Sequence, residues 1–378
     1  MKEWETVIGL EVHCELATAT KLFCGCRNAF GDEPNTNVCP VCLGLPGSLP
    51  VLNRAAVELA MRLGLALGCT VRPSLFHRKN YFYPDMPKDY QVSQYDEPIN
   101  VDGSLELADG THVGVERAHI EEDTGKSTHV GGGGRIHDAE HSLVDYNRAG
   151  VPLVEIVSRP DMRSAEQAKA YVNELRAVLL ATGASDARME EGSMRVDANV
   201  SVRPLGFSTL GTRCEVKNLN STRSLARSID YEARRQIALL EAGEQVAQQT
   251  RHWNEADGRT HPLRSKEEAY DYRYFPEPDL VPLVPDEKWQ RAVADAMPLL
   301  PAARRHRLAA ATGAAPGPVA TVVERGLDDL VLEALAAGGD AGRMVVHAEH
   351  DLAGLGAGGG GGAGGNGSGG RGGGGTGP

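Results

Sequence analysis

Residues 194–203 read MRVDANVSVR, and their alternation decides the fold. Met194, Val196, Ala198, Val200 and Val202 fall on one side of an extended chain, and Arg195, Asp197, Asn199, Ser201 and Arg203 on the other. A period of two with one polar face predicts a strand in an antiparallel sheet covered on one side only. Residues 7–16, VIGLEVHCEL, repeat the pattern, with Ile8, Leu10, Val12, Cys14 and Leu16 against Glu11, His13 and Glu15. In 212–218, Cys214 and Val216 oppose Arg213, Glu215 and Lys217. The polar faces carry charges of both signs, which suits a concave active face; an ordinary wet sheet is the competing reading.

Helical periodicity supplies the other half of an α+β fold. Residues 53–67 are apolar at helical spacing and stop at Gly68. Residues 165–182 carry a capping box, Ser164 with Gln167, the stripe Ala168, Tyr171, Leu175, Val178 and Leu179, and a terminating Gly183. Residues 223–242 follow Ser221 and Thr222, with Leu225, Ile229, Ala233, Ile237 and Leu240 on one face. Pro-rich punctuation at 275–285 marks a boundary. The expected division is a catalytic cradle over 1–290, a shortened helical region of two or three helices over 291–353, and a disordered Gly-rich tail over 354–378. GGGG at 131–134 reads as an inserted loop tip.

Composition narrows the class. The chain has 378 residues, 41% hydrophobic and 24% charged, ordinary for a globular protein. The N-terminus lacks the basic and apolar regions of a secretion signal, and no run approaches the roughly 20 apolar residues of a membrane span. Seven cysteines without a secretion signal point to a reducing, cytoplasmic setting and no membrane partner. A net charge of −12 argues against a protein that coats nucleic acid non-specifically, though not against one specific RNA partner.

The strongest local signal is Cys24-Gly25-Cys26, twelve residues, then Cys39-Pro40-Val41-Cys42. Two hairpins each giving two thiolates close a tetrahedral zinc site with no open position, so this Zn²⁺ would be structural. Four independent reduced thiols are the alternative. A second ion is suggested by Glu11, His13 and Glu15 on one strand face, Glu121-Glu122-Asp123 ending a strand-like run, and Glu155 interrupting the apolar Val151 to Val157. A carboxylate inside such a strand is costly unless it is paired or binds a cation, and carboxylates with one imidazole suit Mg²⁺ shared with phosphates. Salt bridges to nearby arginines explain the same residues equally well. Gly125-Lys126-Ser127 resembles the end of a P-loop, but Ile120 stands where that motif needs glycine. Cys14 and Cys214 sit on apolar faces and are expected in the core; no acyl-transfer nucleophile or glutaminase site is evident.

The stretch 78–95, RKNYFYPDMPKDYQVSQY, interleaves aromatic and basic groups that can stack bases and hold phosphates. Lys79 and Tyr81 in it are candidate cofactor contacts. DYRYFPEPDL at 271–280 has the same character. A packed aromatic loop accounts for either segment as readily.

VIGLEVHCEL, RKNYFYPDMPKDYQVSQYD, HIEEDTGKSTH, SLVDYNRAGVPLVEIVSRPD, MEEGSMRVDANVSVR, EVKNLNS and DYRYFPEPDLVPL together resemble the B-subunit family of the glutamyl-tRNA(Gln)/aspartyl-tRNA(Asn) amidotransferases. The blocks run in family order from about Trp4 to Pro285, and the cysteine knuckles resemble its zinc-bearing branch. The resemblance implies a cradle similar to glutamine synthetase. It implies an ATP-dependent carbon–nitrogen ligase in which the γ-phosphate goes to the side-chain carboxylate of Glu-tRNA(Gln) or Asp-tRNA(Asn), and ammonia then displaces phosphate. Ammonia would come from glutamine through an amidase partner, the A subunit, with a small C subunit completing a heterotrimer. Matching positions make His13, Glu122 and Glu155 the implied Mg²⁺ ligands, with Glu11 beside them. Arg195, Asp197, Asn199, Lys217 and Asn218 lie in matching blocks; strand parity suggests their contact with ATP or the acyl group. The family continues with a longer helical domain and a tRNA-gripping tail domain. Here the match thins after about Pro285 and glycine repeats follow, so the chain is either naturally short or altered at its end.

Two other readings remain open. One is a catalytically inactive zinc-containing RNA-binding or scaffold protein, against which the set Glu11, His13, Glu122 and Glu155 speaks. The other is a free-standing carboxylate–amine ligase acting on a small acid.

Overall fold

Alternate side chains of the first strand are sealed from solvent: Ile8, Leu10, Val12 and Cys14 are all 1% exposed or less, while Glu11, His13 and Glu15 are not. The structure, a computed structural model, describes residues 3–131, 139–263 and 272–352. β1 (Trp4–Glu15) leads through the cysteine knuckles to α1 (Arg54–Ala66), then β2 (Thr70–Val71), β3 (His77–Asn80), β4 (Tyr90–Ser93) and β5 (Asn100–Glu106). There follow β6 (His112–Glu122), β7 (Lys126–Val130), β8 (His141–Asp145), β9 (Pro152–Ser158) and α2 (Ala165–Thr182). β10 (Met194–Pro204), β11 (Cys214–Leu219), α3 (Thr222–Glu241), β12 (Gln249–Asn254), β13 (Arg259–Pro262), β14 (Phe275–Pro276) and α4 (Glu287–Asp295) complete the larger unit.

One sheet organises that unit, in the order β13-β12-β11-β10-β1-β9-β6-β4-β3-β14, with β5 on β6 and β2 on β5; β7 and β8 form a separate hairpin. The sheet is antiparallel except that β11 and β12 run parallel, joined across by α3. The expected alternation of 194–203 holds: Val196, Ala198 and Val200 lie opposite Val12, Leu10 and Ile8 and share their buried face. Val154 and Ile156 of β9 and Ala118 and Ile120 of β6 extend this face, and α1, α2 and α3 cover it. The helices carry the charge-poor stripes that such a layer needs.

Local signals place the helices. Asn53 caps α1 through its side chain, and Gly68 follows in the left-handed conformation at φ 67°. Ser164 caps α2 by accepting from the Gln167 amide, but the Gln167 side chain accepts from the Arg163 amide rather than from that of Ser164. Ser221 caps α3. Within α1, Gly64 leaves room for Asn100, whose Oδ1 fills the space that a Cβ would need. The Asn100 amide donates to the carbonyls of Ala60 and Ala118 and so ties α1 to β6.

The division between compact units falls at Ala303/Arg304, later than the expected 290/291. The reason is α4: Val293 and Trp289 belong to the first core, and the Trp289 indole donates to Glu58 at 2.8 Å under the Arg54 guanidinium. The second unit is built on α5 (Pro301–Thr312), α6 (Pro316–Glu324), α7 (Asp328–Ala336) and α8 (Ala341–His350), one more helix than expected. Leu308, Val319, Val322, Val331 and Val345 form its core, and fully buried Asp328 is held by Arg304 and Arg307. The expected Gly-rich tail and most of the 131–134 loop tip lie outside the described residues. No helix among the described residues is long and apolar enough to cross a membrane.

Candidate active site

Helices cover one face of the sheet, and the opposite face gathers the titratable groups. His13 of β1 lies opposite Glu155 of β9, and Glu155 lies opposite His119 of β6. These cross-strand pairs put His13 Nε2 3.6 Å from Glu155 and 3.7 Å from Glu121, with His119 Nε2 3.2 Å from Glu155. Ligand atoms of His13, Glu121 and Glu155 all lie within 4.8 Å of one another, close enough that they could hold a metal ion. Two carboxylates and one imidazole leave positions for water or phosphate oxygens, a donor set that Mg²⁺ accepts. Burial alone would push the His13 imidazole down, but the Glu155 and Glu121 carboxylates outweigh it and lift it to about 9. Burial opposes ionisation of Glu155, yet His119 and His13 hold its carboxyl well below the usual range.

Glu122 stands elsewhere. The expectation that it joins His13 and Glu155 fails because β6 carries an irregularity between Val115 and Arg117, after which Ala118, Ile120 and Glu122 share the helix-covered face. Glu122 pairs there with Lys88 and accepts from the Val92 amide at 2.9 Å. Its neighbour Glu121 is the one that joins His13 and Glu155, held by the Ser93 hydroxyl at 3.2 Å.

Around the cluster the remaining candidates are already paired. Glu11 accepts from the Asn199 amide at 2.9 Å; burial and the nearby Glu155 charge raise its carboxyl. Arg195 holds Asp123 at 2.8 Å, and Lys217 bridges Asp197 at 2.9 Å and Glu215 at 2.8 Å. Lys79 lies 4.8 Å from the centre of the Tyr272 ring, and Tyr81 donates to Gln91 at 3.4 Å. Burial disfavours the Lys79 ammonium, but Glu121, Tyr274, Tyr272 and Glu155 together outweigh it and raise its pKa. Asn218 has φ 67° and its amide donates to the Trp253 carbonyl at 3.0 Å, so β12 already accounts for it. A groove of about 500 Å³ is lined by Glu11 with Gly9, Glu116, Ser158, Asn199 and Arg213 among others.

The four knuckle cysteines meet with their sulfurs within 4.8 Å of one another, and could bind a metal such as zinc. Bonds from the Cys24 thiol and the Cys39 amide, with the Lys21 charge, hold the Cys42 thiol down to about 4 against its burial. Lys21 is fully buried, 3.7 Å from Cys42 Sγ, and donates to the carbonyls of Asn37 at 2.7 Å and Tyr146 at 3.3 Å. Four cysteine sulfurs beside one cation fit a closed structural zinc site, in which the metal would hold them as thiolates. Cys14 and Cys214 are buried in the core, as expected.

A family model described as the GatB/GatE catalytic domain matches residues 6–291. The chain belongs to this GatB/GatE family. It is similar to the B subunit of the aspartyl/glutamyl-tRNA(Asn/Gln) amidotransferase of Rhodococcus jostii (strain RHA1), 57% identical over 348 residues that cover 89% of this chain and 69% of the relative. The same-named protein of Frankia casuarinae is 57% identical with the same coverage. That of Thermobifida fusca (strain YX) is 53% identical over 351 residues, 89% of this chain and 68% of the relative. In this family member, sequence reasoning did not single out His119, and within Glu121-Glu122-Asp123 it placed Glu122 rather than Glu121 beside His13 and Glu155. The parity of Ala118 and Ile120 carried the signal: it sends Glu122 to the core and Glu121, with His119, to the polar face.

Proposed function

We propose that the chain is the ATP-using component of a tRNA-dependent amidotransferase, activating the side-chain carboxylate of misacylated Glu-tRNA(Gln) or Asp-tRNA(Asn) for amidation. The observation that carries this is the His13–Glu121–Glu155 cluster on the open face of the sheet, with the Lys79 and Arg195 cations on the same face. Family membership and the relatives' names supply the reaction class.

In this reading a carboxylate oxygen of the aminoacyl side chain attacks the γ-phosphorus of ATP, the bond to the β-phosphate oxygen breaks, and ADP leaves. Ammonia then attacks the acyl carbon of the resulting acyl phosphate, and inorganic phosphate departs with the amide formed. Transfer of this kind rests on positioning and charge neutralisation more than on covalent chemistry. His13 Nε2 and one oxygen each of Glu121 and Glu155 would hold Mg²⁺, which supplies charge neutralisation on the phosphate oxygens. Glu11, fixed by Asn199 and opposite Asp197 on β10, lines the groove that would take ATP together with Arg213. Lys79 adds a positive charge where the transferred phosphoryl group and the acyl carboxylate meet.

The knuckle cysteines would hold a structural zinc. The chain would act in the cytoplasm as a carbon–nitrogen ligase with glutamine as amido donor, assembled with an amidase partner (the A subunit) and a small C subunit. A single sheet with helices on one face and an ionised other face is compatible with the glutamine-synthetase-like cradle that the resemblance implies. The test is an assay of Gln-tRNA(Gln) formation with ATP, Mg²⁺, glutamine and both partner proteins. Wild type forms Gln-tRNA and Glu155→Gln loses at least about 100-fold of the rate, more than an outer-sphere change would cost. Equal rates in both would contradict the reading.

A further inference from the structure

The two tyrosine-rich segments, far apart in the chain, come together in the structure. β14 pairs with β3, and Tyr95 stacks on Tyr274 with ring centres 4.0 Å apart and planes 8° from parallel. His77 meets Tyr95 edge-on at 6.2 Å, and Tyr272 packs edge-on against both Tyr274 and Tyr81. The pair is not a sealed core: Tyr95 is 54% exposed, and Phe82 on the adjoining loop is 84% exposed.

This aromatic group is continuous with the ion cluster. Glu121 accepts from the Ser93 hydroxyl, Ser93 lies opposite His77 across β4 and β3, and His77 touches Tyr95. Burial raises the Tyr274 phenol and the Glu121 and Glu155 charges add to it, while Lys79 opposes them. Ser93, which holds Glu121, and His77, which meets Tyr95, are paired neighbours on β4 and β3, so the stacked pair adjoins the cluster. The groove lined by Glu11 runs across β10, β1, β9 and β6, past Ser201, Gly9, Ser158 and Glu116.

Resting on the function proposed above, we infer that the Tyr95–Tyr274 stack is the platform for the 3′-terminal adenosine of the misacylated tRNA. The side chain to be phosphorylated is joined through an ester to the terminal ribose, so the terminal base must lie one aminoacyl group and one ribose away from the cluster. The stack is an exposed aromatic surface joined to the cluster through Ser93 and His77. Adenine of ATP is separated from its own γ-phosphorus by a triphosphate as well as a ribose, and the groove lined by Glu11 and Arg213 offers it room. A tyrosine pair already stacked is rigid, so a base laid against it costs little further ordering.

The experiment uses the assembled complex and the variants Tyr95→Leu and Tyr95→Phe; Tyr95 is exposed, so neither change disturbs the core. Tyr95→Leu raises KM for Glu-tRNA(Gln) about 5- to 150-fold, the range of one base–aromatic stack, with KM for ATP and kcat unchanged. Tyr95→Phe keeps the ring and stays near wild type. A second arm needs no turnover: tRNA ending in 8-azidoadenosine is photolysed on the complex and the labelled peptide mapped, with 8-azido-ATP in parallel. Labelling of the 78–96 or 272–283 segments by the tRNA and not by ATP supports the inference. An unchanged KM for tRNA in Tyr95→Leu, a raised KM for ATP, labelling of these segments by 8-azido-ATP, or no labelling by the tRNA overturns it. If the wild type forms no Gln-tRNA, the function proposed above fails, and the photolysis still decides the platform.

Discussion

Glu121 and Glu122 are neighbours in the chain and serve opposite faces of one sheet: Glu121 meets His13 at 3.7 Å, while Glu122 is bound to Lys88 beneath the cysteine knuckle. The pleat of β6 makes this separation automatic, since successive side chains point to opposite sides. It divides one acidic dipeptide into a group suited to an ion and a group that holds the fold.

That division predicts different losses. Glu122→Leu leaves Lys88, with a side chain only 10% exposed, without its partner. Breaking such a pair costs about 3 kcal/mol or more, whereas removing both charges is far milder. Urea unfolding should show a lowered midpoint in Glu122→Leu and a largely restored one in Glu122→Leu with Lys88→Met. A single variant as stable as wild type would show that the pair contributes nothing.

The cysteine site is tested by composition. Metal analysis of the purified chain should give about one zinc per molecule, and Cys39→Ser should lose it together with a fall in Tm, because binding of a structural metal is coupled to folding. Zinc content unchanged in Cys39→Ser would rule out the four-thiolate site.

Much of this arrangement is legible in the sequence, for reasons that differ by element. The knuckles are legible because ligand spacing in a local hairpin is fixed by the metal, whatever the rest of the chain does. The faces of β1 and β10 are legible because one side is sealed and the other charged, so parity runs unbroken through Val12 and Val196. β6 is harder: its register irregularity after Val115 shifts the parity midway, and only the short apolar pair Ala118 and Ile120 reports the new phase. The parallel pairing of β11 with β12 and the bond between Lys88 and Glu122 are tertiary facts, set by partners that no local pattern names.

Stability toward acid should depend on Glu232. It is fully buried in the first unit and accepts from Arg235 at 2.6 Å, Gln236 at 3.0 Å and Thr260 at 2.8 Å, with Arg251 at 3.3 Å. Burial would raise its carboxyl, but the Arg235 and Gln236 bonds prevail and hold it below the usual glutamate value. A depressed folded pKa gives stability that is complete above the unfolded value and is lost as pH falls through the folded one. Glu232→Gln should therefore lower stability at neutral pH by about 3 kcal/mol. It should also flatten the decline below pH 4.5, as followed by urea midpoints across the acid range. An acid limb as steep in Glu232→Gln as in wild type would assign the decline to other groups.

The most direct measurement is electron paramagnetic resonance of Mn²⁺, as a stand-in for Mg²⁺, bound to the chain with a non-hydrolysable ATP analogue. The His13–Glu121–Glu155 site predicts bound Mn²⁺ with nitrogen coupling from one imidazole. That coupling should vanish in His13→Ala, binding should weaken at least about 10-fold in Glu121→Gln, and binding should persist in Glu122→Gln. Binding lost in Glu122→Gln and kept in Glu121→Gln, or no imidazole coupling in the wild type, would contradict the account.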